Sequence, residues 1–244
     1  MTLTVDHPPV NALHPDVAAA LEARFVEIGS DPEIRAVVLT GAGKHFMGGG
    51  DIAYFRTLTR ASAEPYVLGI QRMQDVIGLL PQPVIAAVNG AALGGGCELA
   101  MACDIRVAEV QAVFGQPEVQ LGIIPGAGGT QHLPRLIGAG RAKRMLFTGE
   151  RVSAAVALEW GLVDEIVPEG ASVEWAQACG AAIGANAPLA VAAAKRAVNL
   201  GLQMGIRDAH VLETSLFLAL VETSDFTEGV DAFFAKRPPS FNRD

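Results

Sequence analysis

The chain has 244 residues, enough for one large domain that removes roughly 70–75% of its unfolded surface from water. Its formal net charge of −8, from 18 Lys and Arg against 26 Asp and Glu, argues against a nucleic-acid binder or an anionic-membrane binder. Only 6% of residues are aromatic while 50% are apolar, so the interior must be Ala, Val, Leu and Ile packed closely around 27 glycines. The cysteines, Cys97, Cys103 and Cys179, form no CxxC, and the histidines, His7, His14, His45, His132 and His210, form no HExxH. No metal site and no disulfide is therefore expected, which fits reduced thiols in the cytoplasm. The opening MTLTVDHPPV lacks a basic region followed by an apolar run, so no signal peptide is expected.

In chain order, TLTV reads as a strand, Pro8 and Pro9 as a turn, and Pro15 to Ile28 as a helix led by Asn11 or His14 and closed at Gly29 to Pro32. Arg35 to Gly41 is a buried strand by its Val-Val-Leu run. GAGKHFMGGGDI follows as a loop that leads into a possible helix. It is not a nucleotide loop, because Lys44 precedes His45 rather than Ser or Thr and no third glycine completes a dinucleotide fingerprint. Helical spacing runs from Ala63 to Leu80, and Pro81 and Pro83 deliver the chain into a strand at Val84 to Val88. Asn89-Gly90 stops that strand, and Gly94-Gly95-Gly96 opens a helix of small residues. The apolar run from Val84 to Cys103 resembles a membrane span in length, but Asn89, Glu98 and its glycines make a buried strand and helix the better reading. DIRVAEV is a strand, GAGGT from Gly126 to Thr130 a turn, and Arg141 to Thr148 a short helix. Ser153 caps another helix that ends at Gly161, and LVDEIVP is the last strand.

From about Val173 the pattern is wholly helical. Asn186 with Pro188 starts one helix and Gly201 ends it. Ile206 to Val221 is apolar on more than one face, which predicts burial on two sides through contact with other copies of the chain. Asp225 with Glu228 begins a terminal helix that Pro238-Pro239 stops. With no low-complexity linker, this helical tail is expected to pack on the body.

Two glycine-rich strand exits, at Gly50 and at Gly95, leave backbone N–H groups open to a ligand oxygen. Glu98, one helical turn beyond Gly95, and Glu118 are acids in apolar surroundings. No Lys or Arg lies within a helical turn of Glu98, although Arg106 and Arg135 are candidate partners through space. Asp51 and Asp104 fit helix caps or turns. Two N–H groups aimed at one oxygen stabilise an enolate formed from a thioester carbonyl. Two carboxylates kept in different protonation states divide the remaining proton work, one taking a proton from water and the other supplying one to carbon. Such an addition of water needs no metal or redox cofactor.

PPVNAL, AVVLTGAGKHF with GGGDI, PVIAAVNGAALGGGCELAMACDIRVA, FGQPEVQLGIIPGAGGTQHLPRLIG, GLVDEIVP and EGVDAFFAKRPPSF resemble, in order, the motifs of the crotonase superfamily, most closely its enoyl-CoA hydratases. The resemblance implies an α/β fold: a spiral of β-β-α turns carrying the acyl-CoA site over residues 1–185, then a helical trimerisation region over 186–244. It implies a homotrimer, or a hexamer built as a dimer of trimers. By similarity Gly50 and Gly95 are the oxyanion-hole donors, and Gly50, Asp51, Ile52 and Ala53 lie along the acyl-CoA thioester. Glu98 and Glu118 are the paired hydratase acids, with Glu118 delivering the proton to the α-carbon. Coenzyme A is then part of the substrate and no separate cofactor is implied. Double-bond isomerases and lyases of the same superfamily are the alternatives, and its RNA-binding branch is disfavoured by the acidic balance. The chain departs from the family in having fewer residues before PPVNAL, and Met47-Gly48 where small residues are common. Met47 is expected to pack rather than to bind.

Overall fold

The computed structural model describes residues 1–242. The chain opens with β1 (Thr2–Val5) and α1 (Pro15–Gly29). A first full turn is β2 (Val37–Gly41), β3 (His45–Met47), α2 (Ile52–Phe55) and α3 (Arg60–Leu79), and a second is β4 (Val84–Val88), β5 (Ala91–Leu93) and α4 (Gly95–Ala102). A third is β6 (Ile105–Glu109), β7 (Val113–Gly115), a 3-10 turn at Glu118–Leu121, α5 (Gly129–Ile137) and α6 (Ala139–Thr148). Then come β8 (Arg151–Ser153), α7 (Ala154–Trp160) and β9 (Glu165–Val167), followed by α8 (Ser172–Gly184), α9 (Pro188–Gly201), α10 (Ile206–Val221) and α11 (Ser224–Ala235).

Each full turn gives its first strand to one sheet and its second to the other. The larger sheet has the order β1-β2-β4-β6-β9 and is parallel throughout; the smaller has the order β3-β5-β7-β8, with only β7 and β8 antiparallel. Val38 stands beside Ile85 and Ile85 beside Ile105, so successive turns advance by one strand position. The result is the expected spiral of β-β-α units. Every residue of β2 and β4 is buried, as a parallel strand covered on both faces requires. Small residues let the layers approach: a Cβ on Gly96 would overlap the Met47 carbonyl oxygen. Met47 itself is fully buried in β3 and is core packing.

Several sequence expectations are corrected. GAGKHFMGGGDI contains a strand, β3, which three residues are too few to reveal by periodicity. Beyond the GAGGT turn, Gly129 already begins α5, and β5, β7 and β8 are likewise too short to read. Asn186 does not start α9; its amide donates to the Ala182 carbonyl oxygen at 2.9 Å and closes α8 instead. The cap of α11 is Thr223 rather than Asp225, since the Thr223 hydroxyl accepts from Phe226 N–H at 3.2 Å. In a single chain no residue of α10 is buried, and Val211 and Phe217 are 70% and 63% exposed, which leaves its apolar faces open to the contact with other copies that the sequence predicts.

The run from Val84 to Cys103 is strand, strand and helix. Among the described residues no single helix is long and apolar enough to cross a membrane. The tail is anchored at α9, where buried Lys195 reaches Asp104 Oδ2 at 2.7 Å and the carbonyl oxygens of Ile77 and Gln82 at 2.9 and 3.1 Å.

Candidate active site

Helix α4 starts with bare backbone. Gly94, its N-cap, has φ 49° and ψ −122°, a conformation that side chains disfavour. The first intrahelical bond is Glu98 N–H to Gly94 O at 2.9 Å, so the Gly95 N–H precedes the hydrogen-bonded ladder. A Cβ on Gly95 would stand 3.7 Å from the Gly50 nitrogen and 2.9 Å from Leu13 Cδ2, which sets the two glycine exits side by side. Among the described residues neither the Gly50 N–H nor the Gly95 N–H meets a protein acceptor. The Gly48–Gly50 strand exit is tied down by Gly48 N–H to Val10 O at 2.8 Å and Leu13 N–H to Gly49 O at 2.7 Å. On its other side Gly50 is closed by Phe55 and Tyr66, whose rings pack edge to face at 5.7 Å.

Asp51 serves as a cap: its Oδ1 accepts from Ala53 N–H at 2.8 Å and Tyr54 N–H at 3.1 Å, starting α2. The Ala53 N–H is thus occupied, while the Ile52 side chain is 51% exposed beside it. Asp104 also works structurally, accepting from Val84 N–H at 2.7 Å as well as from Lys195.

Glu98 is buried in α4. Neither arginine proposed from sequence pairs with it. Arg106 binds Asp164 Oδ2 at 3.2 Å and the carbonyl oxygens of Leu162 and Cys103, and Arg135 bonds back to the Gln131 carbonyl oxygen at 2.7 Å. Instead the turn before α5 supplies backbone: Glu98 Oε1 accepts from Ala127 N–H at 2.9 Å and from Gly129 N–H at 2.7 Å. Burial raises the Glu98 pKa above the ordinary carboxylate range, and the Gly129 and Ala127 N–H groups offset part of that rise.

Glu118 opens the 3-10 turn after β7. Burial chiefly, and the neighbouring Glu98 charge, push its pKa up to about 7, against the opposing effect of its own N–H. With its amide nitrogen turned toward the carboxylate, buried Gln116 donates to Glu118 Oε1 at 3.2 Å and to Oε2 at 3.1 Å. The two acids share one neighbourhood. A Cβ on Gly129 would meet both Glu98 Oε1, at 3.0 Å, and the Gln116 amide, at 2.9 Å, while one on Gly94 would meet Glu118 Oε1 at 2.6 Å. Cys97 lies in the same region, but burial and both glutamates push its thiol up to about 12, so it stays protonated and is no nucleophile.

Sequence reasoning missed Gln116, Leu13, Tyr66 and the Ala127 and Gly129 N–H groups. Gln116 had a faint signal, a lone amide in the apolar run before Glu118; the backbone donors had none beyond the glycines of their turn.

The arrangement therefore offers two unpaired N–H donors next to two acids in distinct environments, which suits stabilisation of a developing oxyanion with proton transfer beside it. A sequence model of the family described as enoyl-CoA hydratase/isomerase matches residues 1–244. The chain is 42% identical over 237 residues to a short-chain-enoyl-CoA hydratase of Clostridium acetobutylicum, covering 96% of this chain and 91% of that one. It is 42% identical over 234 residues to a crotonyl-CoA hydratase of Syntrophomonas wolfei, covering 95% and 90%. The crystal structure of an enoyl-CoA hydratase from Bacillus anthracis superimposes with a TM-score of 0.95 at 38% identity, covering 100% of this chain and 96% of that one. With its spiral fold, its paired glycine exits and its two acids, this chain belongs to the enoyl-CoA hydratase/isomerase family of the crotonase superfamily.

Proposed function

We propose that the protein hydrates a 2-enoyl-CoA thioester to the 3-hydroxyacyl-CoA, with Gly50 and Gly95 as oxyanion donors and Glu98 and Glu118 as the acid–base pair. The observation that carries this reading is the difference between the two acids. Glu98 is buried and pinned through one oxygen by two backbone N–H groups, while Glu118, with a pKa of about 7, holds a proton for part of the time at neutral pH. With the thioester oxygen on the Gly50 and Gly95 N–H groups, the 3-carbon is electrophilic. Water adds its oxygen there and passes one proton to the Glu98 carboxylate as the 2,3 π electrons move into the thioester. The resulting enolate takes the Glu118 proton at the 2-carbon. Returning the proton from Glu98 to Glu118 through the next water restores the site, so atoms and charge balance with water as the only co-reactant and no separate cofactor. Asp51, Ile52 and Ala53 line the thioester path through their backbone, since the Asp51 side chain is committed to capping α2.

The rate of consumption of crotonyl-CoA, followed as loss of the conjugated thioester absorbance, tests the reading directly. Glu118→Gln is expected to lower kcat by about 10²–10⁴-fold, the usual worth of a positioned acid. Turnover unchanged in that variant would remove Glu118 from the mechanism, and a wild type that leaves crotonyl-CoA intact but turns over a 3-enoyl-CoA would make the protein an isomerase.

The active form is a homotrimer or a dimer of trimers in the cytoplasm. Supporting the assembly are the exposed apolar side chains of the tail, among them Phe217, Leu218, Phe233 and Phe234. Supporting the compartment are the unpaired thiols of Cys97, Cys103 and Cys179.

A further inference from the structure

One side chain near the glycine exits is assigned no part in the addition above. Tyr66 projects from α3, half-buried, and its hydroxyl donates to the Leu13 carbonyl oxygen at 3.0 Å. Leu13 is fully buried and touches both donor glycines. Its N–H bonds to Gly49 O at 2.7 Å, its backbone forms a parallel bridge with Gly50, and its Cδ2 abuts the Gly95 Cα face. The Tyr66 hydroxyl also stands 3.2 Å from where a Gly50 Cβ would lie. Its ring is held by Tyr54, at 5.4 Å between centroids, and by Phe55. Nothing else hydrogen-bonds the Leu13 carbonyl among the described side chains.

We infer that Tyr66 is a positioning residue for the oxyanion donors: by holding the Leu13 carbonyl it fixes the segment that spaces the Gly50 N–H from the Gly95 N–H. The physical reason is the sensitivity of preorganised donors to placement. Two N–H groups help a developing oxyanion only where both stay within hydrogen-bond reach of one point, and a shift of a few tenths of an ångström in one weakens the pair. Gly50 follows a run of glycines and carries no side chain to brace it, so its position depends on the Leu13 segment bridged to it. Burial, and next the charge of Glu98, raise the Tyr66 pKa well above the ordinary range, so the hydroxyl keeps its proton and remains a donor wherever the enzyme works. Leu13 thereby works as a spacer and Tyr66 as its latch.

This inference rests on the oxyanion reading of Gly50 and Gly95, and its test separates the two. The probe is para-dimethylaminocinnamoyl-CoA, whose conjugated thioester absorbs at longer wavelength when donors polarise its carbonyl. Wild-type protein is expected to shift the bound probe's band to the red. Tyr66→Phe keeps the ring and its contacts with Tyr54 and Phe55, and is expected to lose a large part of that shift. Its kcat on crotonyl-CoA should fall about tenfold, the worth of one hydrogen bond expressed in the barrier, with KM within about twofold. Full red shift and unchanged kcat in Tyr66→Phe, with or without a lowered melting temperature, would overturn the inference and leave Tyr66 a packing residue. A wild type that binds the probe without any shift would overturn the oxyanion reading, and this inference with it.

Discussion

Glu98 and Glu118 owe their different behaviour to what surrounds each oxygen. Burial raises both carboxyls: the Ala127 and Gly129 N–H groups offset part of the rise at Glu98, while Glu118, which also feels the Glu98 charge, is pushed up to about 7. A carboxyl with a raised folded-state pKa favours the fold below its ordinary value of 4.5, and that contribution is lost as pH rises toward 7. Ionised Glu118 is thus a stability cost in alkaline solution. Glu118→Gln is expected to raise the melting temperature at about pH 8, by the equivalent of roughly 1–3 kcal/mol after allowing for partial exposure, and to change it little at about pH 4. Catalysis has the opposite sign: the proposed mechanism draws on protonated Glu118, so the alkaline limb of the kcat profile should fall near pH 7. At Gly95, a methyl group would stand 2.9 Å from Leu13 Cδ2. Gly95→Ala should therefore displace the donor and lower kcat by about 10²–10³-fold, with crotonyl-CoA turnover as the measurement. Glu98 was visible in the sequence because an unpaired acid in an apolar helix is costly. Its partners were not, because they are backbone groups 29 and 31 residues away with no charge to mark them.

The turn before α5 and the junction of α4 with α9 do at the level of elements what no single residue does. Gly129 is both the first residue of α5 and a donor to Glu98, and a Cβ there would meet Pro125, Gln116 and Glu98 within 3.0 Å. Gly129→Ala should push the turn away, remove the stabilising N–H and raise the Glu98 pKa further, moving the acid limb of the pH–rate profile to higher pH. At the other end of α4, Lys195 closes three acceptors at once, including Asp104. Lys195→Met leaves the acid and two carbonyl groups without their cation and should cost about 3 kcal/mol, read as a lowered urea midpoint at unchanged slope. Long elements such as α1, α3 and β4 could be placed from periodicity and punctuation alone. The three-residue strands β3, β5, β7 and β8 could not, since alternation over so few positions is indistinguishable from a loop and pairing across the sheet defines them, whereas the equally short β9 lies in the apolar run LVDEIVP that marks it.

At the scale of the whole molecule, the spiral places the exits of β3 and β5 next to one another because those strands are neighbours in the smaller sheet. That adjacency brings Gly50 and Gly95 together although 45 positions separate them in number. The helical tail instead presents apolar surface outward, with Phe217, Leu218, Phe233 and Phe234 each more than half exposed. Light scattering at micromolar concentration is expected to give three or six times the chain mass, and Phe217→Glu with Leu218→Glu should shift the mass downward. A wild-type monomer at that concentration would refute the assembly.

Apolar runs, glycine clusters and isolated acids are local properties, and from them the order of the long elements, the buried central strand, the two glycine-rich exits and the candidate acids Glu98 and Glu118 could be read. Their convergence, the backbone donors on Glu98, the pairing of Lys195 with Asp104 and the latch from Tyr66 to Leu13 depend on contacts between distant segments. Backbone N–H groups are chemically alike at every position except proline, so a sequence records where glycine lets one be reached but not which carboxylate or carbonyl stands opposite. The packing of the two sheets decides that.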